Sequence, residues 1–482
     1  MNRIILLLLI LISFVTPIEA QNRKHEVRAV WITGAYGLDW PQTRATNAAN
    51  RQRQQEELIE MLDRFKAAKI NTILFQVRTR GDVFYRSKIE PFSAMLTGKA
   101  GRDPGYDPLA FVVEECHKRG MECHAWMVAI PLGNRKHQTS LGKQSVLKKK
   151  PAICVNYKQS YYLNPGHPET KNYLMGLVRE VVENYDVDGV HFDYLRYPEH
   201  ATRFPDTQSF RRYSQGQSIA QWRKNNLSDI VRHLYEGVKA LKPWVKVSTS
   251  PVGKYDDTSR YSSQGWNAYD AVHQDVKGWL AEGIQDQIYP MMYYSGNSFY
   301  PFALDWEEHA NNRHIVPGLG IYFLDPKEGN WSIEEVERQI AFTRQHGIDG
   351  QAYYRARYLM DNVQGLYDKL TYNYYASYAL PPSMPWLDNT PPTQPAGLKV
   401  EKADGYITLN WQPATDNDTE NAPRYIVYGA NTYPVDTSNP ENIMAINVSG
   451  CTYTYAPMFP WEEKLYYAVT AIDRYSNESE NN

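Results

Sequence analysis

The chain runs to 482 residues with a formal net charge of −2, and 22% of its residues are charged. That balance gives no electrostatic argument for nucleic acid, and the length suits two or three domains. Four cysteines are too few for a disulfide-stapled scaffold.

Residues 1–20 read as a secretory signal: Arg3 makes a positive start, Ile4 to Phe14 is almost wholly apolar, and Ala20 offers a cleavage site. The apolar core is too short to span a membrane, and no later run reaches about 18 apolar residues. The mature chain is therefore expected to be exported, periplasmic or extracellular, with no membrane anchor.

From residue 26 to 378, apolar runs alternate with amphipathic helices. The expected strands are Val27–Thr33, Thr72–Arg78, Glu122–Ala129, Gly189–Leu195, Lys246–Val252, Gln287–Tyr294, His314–Phe323 and Gly350–Arg355. Near-continuous apolar runs are what parallel strands covered on both faces require. Among the helices, Leu58, Met61, Leu62 and Phe65 form one stripe, Asp107-Pro108 caps a second helix, and Ser332 with Glu335 forms a capping box for a third. Eight strand–helix repeats predict an α/β fold, a (β/α)8 TIM barrel. An open doubly wound sheet would need a Gly-rich phosphate turn after an early strand, and none is present. Cys116 and Cys123 fall on an apolar helix face and in a strand, as buried thiols; a bridge between them is the alternative in an exported chain.

Residues 379–395 form a Pro-rich, semi-rigid linker. Residues 396–482 then show short alternating strands with Trp411 on an early one, which predicts a small immunoglobulin-like sandwich resembling a fibronectin type III module. Such a module suits docking to a protein or glycan and carries no chemistry of its own.

Barrel enzymes collect their chemistry at the C-terminal ends of the strands. The fourth run ends Gly189-Val190-His191-Phe192-Asp193-Tyr194-Leu195-Arg196, and alternation puts Gly189, His191 and Asp193 on one face. If that face is the lumen, Asp193 stands at the mouth with His191 one layer below. The side chains expected to bind substrate are Trp31, Gln76, Arg78, Trp126, His191, Arg196, Tyr293, Tyr322 and Tyr353. Carboxylate and aromatic strand ends point to acid–base work on a carbohydrate, which needs two carboxyl groups across the scissile bond. Asp193 is one. Asp286 is put forward as the second, although it begins strand six rather than ending it; Asp82, Glu90 and Glu199 lie in loops that could reach the mouth. No HExxH, CxxC, GxSxG or Walker pattern occurs, so neither a metal nor another cofactor is expected. A basic run (Arg135, Lys136, His137, Lys143, Lys148, Lys149, Lys150) follows strand three. Such a run is ordinarily a solvated face; at a barrel mouth it would bind an anionic polymer.

Several segments together resemble the glycosyl hydrolase-like 10 family: Glu26 to Thr33, Phe75-Gln76-Val77-Arg78 with Asp82 and Tyr85, His124-Ala125-Trp126, Tyr162 to Gly166, the strand-four run, and Tyr289-Pro290-Met291-Met292-Tyr293. Tyr194 stands where the family often has a second acidic or polar residue, and Met291 where relatives often have Gln. The resemblance implies an exported glycosidase whose partner is a glycan strand. The family includes a divisome-associated hydrolase of denuded peptidoglycan, so a cell-wall glycan is the implied substrate. The competing expectations are a non-catalytic glycan-binding barrel and a hydrolase of dietary or host polysaccharide.

Overall fold

A computed structural model describes residues 22–199, 201–417 and 421–481; the expected signal, 1–20, lies outside the described residues. Eight parallel strands close a TIM-like barrel. They are Val27–Ile32, Thr72–Arg78, Glu122–Val128, Gly189–Asp193, Lys246–Thr249, Gln287–Ile288, a seventh split into His314–Ile315 and Gly318–Leu319, and Gly350–Tyr353. The first half of strand seven pairs with strand six and the second half with strand eight, which pairs in turn with strand one, so the ring is complete.

Strands five to seven pair over shorter lengths than their apolar runs suggest. Pro251, Pro290 and Pro317 have no amide to give to a ladder. Beyond these prolines, strands five and six, and six and seven, meet only at single bridges, Val252 to Met291 and Met291 to Gly318; Gly318–Leu319 pairs instead with strand eight. Strand four stops at Asp193 because Tyr194 takes a left-handed backbone with φ of 50°.

Alternation sends Ala29, Trp31, Leu74, Trp126, Tyr289, Val316 and Ala352 into one packed lumenal cluster. Gly189 is required there: a Cβ at this position would lie 2.7 Å from the His124 ring. Outside the barrel, Leu58, Met61, Leu62 and Phe65 of helix Ala48–Ala67 are buried, as are Leu109, Val112, Val113 and Cys116 of helix Pro108–His117. Asp107 caps the latter by accepting from the Leu109 and Ala110 amides. The box expected at Ser332 is not made; its side chain caps no amide, and Glu335 instead accepts from Tyr300 and Gln339. Cys116 and Cys123 are buried free thiols.

Two additions to the barrel matter for the cleft and the barrel floor. After strand three the chain builds a small antiparallel sheet from Pro131–Asn134, Cys154–Tyr157 and Ser160–Leu163. At the opposite end, two three-stranded antiparallel sheets face each other through Leu409, Trp411, Tyr425, Val427 and Val469. This all-β unit sits against the N-terminal face of the barrel. Arg474 pairs with Asp186 at 2.9 Å and lies 3.5 Å from Asp188, and Asn447 donates to the Gly120 carbonyl. The Pro-rich segment runs pinned between the two, with Leu380 and Met384 fully buried.

Candidate active site

A cleft of about 660 Å³ opens at the C-terminal ends of the strands. Its floor is Asp193. The carboxylate accepts the Tyr194 amide at 2.7 Å on Oδ1 and the Trp126 indole at 3.2 Å on Oδ2. Burial pushes the Asp193 carboxyl above its ordinary value of 3.8, with the nearby Arg196 charge as the largest opposing influence. A cleft carboxyl whose burial favours the protonated form is suited to donate a proton. The left-handed turn at Tyr194 swings that ring out into the cleft and returns Arg196 to its wall. Non-glycine residues in this backbone region concentrate at functional sites.

Tyr354 of the chain just past strand eight lines one wall, stacked on Tyr293 at 5.3 Å, with Tyr322 edge-on to Tyr293 at 5.8 Å. Tyr36, whose ring carries the Arg80 guanidinium at 4.2 Å, lines another part of the cleft. Tyr161, Tyr162 and Lys158 come from the inserted sheet. Flat rings around an acid suit the C–H faces of a sugar.

The expected site residues divide. Gln76, Trp126, Asp193 and Arg196 line the cleft. Gln76 also shapes it, because its Oε1 accepts the amides of Gly34 and Ala35. Tyr293 and Tyr322 back the Tyr354 wall. Trp31 and His191 are one layer too deep, both buried in the lumen. The Trp31 indole donates to His191 Nε2 at 3.3 Å, so His191 Nδ1 carries the proton toward Ser248 Oγ at 2.9 Å. Burial holds that imidazole well below its usual pKa and therefore neutral.

Other expectations are overturned. Arg78 does not reach substrate: its fork holds Glu90 at 2.7 and 2.8 Å, and it also donates to the Val128 and Ala129 carbonyls. That pairing removes Glu90 from the cleft as well, and Asp82 is taken up by Thr79, the Arg80 amide and His137. Tyr353 points outward to a hydroxyl contact with Tyr375, and its neighbour Tyr354 takes the cleft. Asp286 is at the wrong end of the barrel. It accepts the Val247 amide at 2.8 Å and the Trp386 indole at 3.0 Å, and pairs with Lys239 at 2.6 Å. The basic run is also displaced: Lys148, Lys149 and Lys150 are exposed outside the cleft lining, where the cations are Arg80, Lys158 and Arg196. Tyr354 was missed because Tyr353 and Tyr354 are the same residue type, so only the lumenal parity set by Ala352 separates them.

The Trp126 contact gives a first test. Its indole donates to the charged form of Asp193, so Trp126→Phe should raise the acid's pKa. The alkaline limb of the pH–rate profile should then move upward; an unmoved limb would mean that the indole does not tune this acid.

A TIM-like barrel with a buried acid at the end of strand four, under an aromatic cleft, has the build of a glycan-cleaving enzyme. The chain belongs to the glycosyl hydrolase-like 10 family, whose sequence profile matches residues 26–323, and it is a glycoside hydrolase. Glycosyl hydrolase YngK of Bacillus subtilis (strain 168) is 32% identical over 478 residues, covering 94% of this chain and 92% of that protein. Glycosyl hydrolase DigH of Escherichia coli (strain K12) is 35% identical over 297 residues, 58% of this chain and 68% of that protein. The glycoside hydrolase domain of PgaB (BpsB) from Bordetella bronchiseptica overlays at a TM-score of 0.47 with 14% identity, over 68% of this chain and 99% of that one.

Proposed function

We propose that the protein is an exported hydrolase of bacterial cell-wall glycan strands, with Asp193 as the proton donor to the glycosidic oxygen. One observation carries the reading: among the described residues, Asp193 is the one carboxyl group both buried and lining the cleft. Burial favours its protonated form, as general-acid catalysis requires. Glu199 is the other carboxylate along that wall, exposed to solvent, and we assign it the base that activates water. Arg80, Lys158 and Arg196 give the cleft a cationic lining that a neutral polysaccharide does not call for. The C-terminal unit then acts as a fibronectin type III-like spacer or docking module.

Digestion of intact and amidase-treated sacculi, with products read by mass, tests this. Amidase-treated strands should yield soluble saccharides. Release from dietary or host polysaccharide alone, or no release at all, would overturn the assignment.

A further inference from the structure

Four arginines of the described chain are buried. Three of them have a carboxylate at close range: Arg28 meets Glu26 at 2.8 Å, Arg78 meets Glu90 at 2.7 Å, and Arg223 meets Asp206 at 2.8 Å. Arg196 is the exception. It is 9% exposed, no carboxylate among the described residues comes within ion-pair distance, and its Nε and Nη1 have no hydrogen-bond partner. Its guanidinium lies against the Tyr194 ring at 4.8 Å and the Trp266 ring at 5.9 Å, at the wall of the Asp193 cleft.

Burying a charge without a counter-charge is strongly unfavourable, and removing the partner of a buried pair is costly for that reason. A guanidinium left unpaired beside a catalytic acid, held between two rings, is built for an anion that arrives with the substrate. The planar fork matches a carboxylate through two parallel hydrogen bonds. Asp193 does not fill the role: it lies beyond ion-pair distance and its own oxygens are taken by Tyr194 and Trp126.

We infer that Arg196 reads a free carboxylate on the sugar bound next to the scissile bond. Resting on the functional reading above, this makes the substrate a carboxylate-bearing glycan and Arg196 a specificity-determining residue. A wall glycan offers that group where the acyl substituent of its acidic sugar has been freed from peptide. A strand whose carboxyl is capped as an amide, or reduced, leaves the fork unpaired.

The test compares kcat/KM of the full chain on amidase-treated glycan strands and on the same strands with carboxyls reduced to alcohols by carbodiimide and borohydride. The protein should prefer the carboxylated strands by about 10- to 100-fold, the range of a charge-assisted hydrogen-bonded contact. Arg196→Gln should bring that ratio close to one. Arg196→Lys, which keeps the charge and loses the fork, should give an intermediate ratio. Equal rates of the unmodified protein on both strands would overturn the inference while leaving glycan cleavage in place. An unchanged ratio in folded Arg196→Gln would overturn it too. Cleavage of neither strand would remove the functional reading, and this inference with it.

Discussion

Asp193→Asn should lower kcat by about 10²- to 10⁴-fold while leaving glycan binding largely intact. The amide keeps the shape of the floor, and its one oxygen can still accept from either the Tyr194 amide or the Trp126 indole, but it has no acidic proton to give. Binding rests on the rings and cations of the walls, so co-sedimentation with glycan strands should change little while product release stops. A variant that still turned over would remove Asp193 from the mechanism. Stability should move the other way. Burial raises the folded pKa of this acid above its ordinary 3.8, so its contribution is fully present below that value. That contribution is lost as pH rises through the folded pKa. At neutral pH the native carboxyl therefore strains the fold, and a neutral Asn relieves it. Asp193→Asn should melt at or above the temperature of the unmodified protein at pH 7; a lower midpoint would mean that part of the lost activity is lost structure.

Much of the barrel was legible because its strands are covered on both faces and so read as apolar runs. The lumenal parity of strand four was legible for a different reason: Gly189, His191 and Asp193 differ in kind from Val190 and Phe192 between them. What stayed hidden depends on long-range pairing. Glu90 looks like any loop acid, and only the fold brings it onto the fork of Arg78. Asp286 begins its strand, which already argued for the floor, and Lys239 and Trp386 show what it does there. The true end of each strand was blurred by prolines sitting inside apolar runs. The basic run misled because its charges are near in sequence, whereas Arg80, Lys158 and Arg196 converge from three separate segments.

The largest effect on stability should come from Glu26, at the start of strand one and far from the cleft. Its carboxylate is fully buried and pairs with Arg28 Nε at 2.8 Å and Arg344 Nε at 2.7 Å. Gln351 of strand eight donates to it, and Arg28 continues to the Ser377 carbonyl, so one acid ties the seam between strands one and eight to an outer helix and the barrel's last segment. Burial alone would raise its pKa, but the Arg28 charge and the Arg344 contacts outweigh it and bring the group down to about 2 from an ordinary 4.5. The stability it supplies is therefore present above pH 4.5 and is lost as pH falls toward 2. Glu26→Gln leaves two buried guanidinium groups without a counter-charge, which costs about 3–5 kcal/mol. In a chain of this size that corresponds to a drop of about 5 °C in melting temperature at pH 7. The gap between variant and unmodified protein should narrow on acidification, because protonation removes from the native chain what the substitution has already removed. A midpoint within about a degree of the unmodified protein at pH 7 would mean that water or a shifted side chain takes over the charge of Arg28 and Arg344. Since the cleft lies at the other end of the strands, any variant molecules that stay folded should keep their rate.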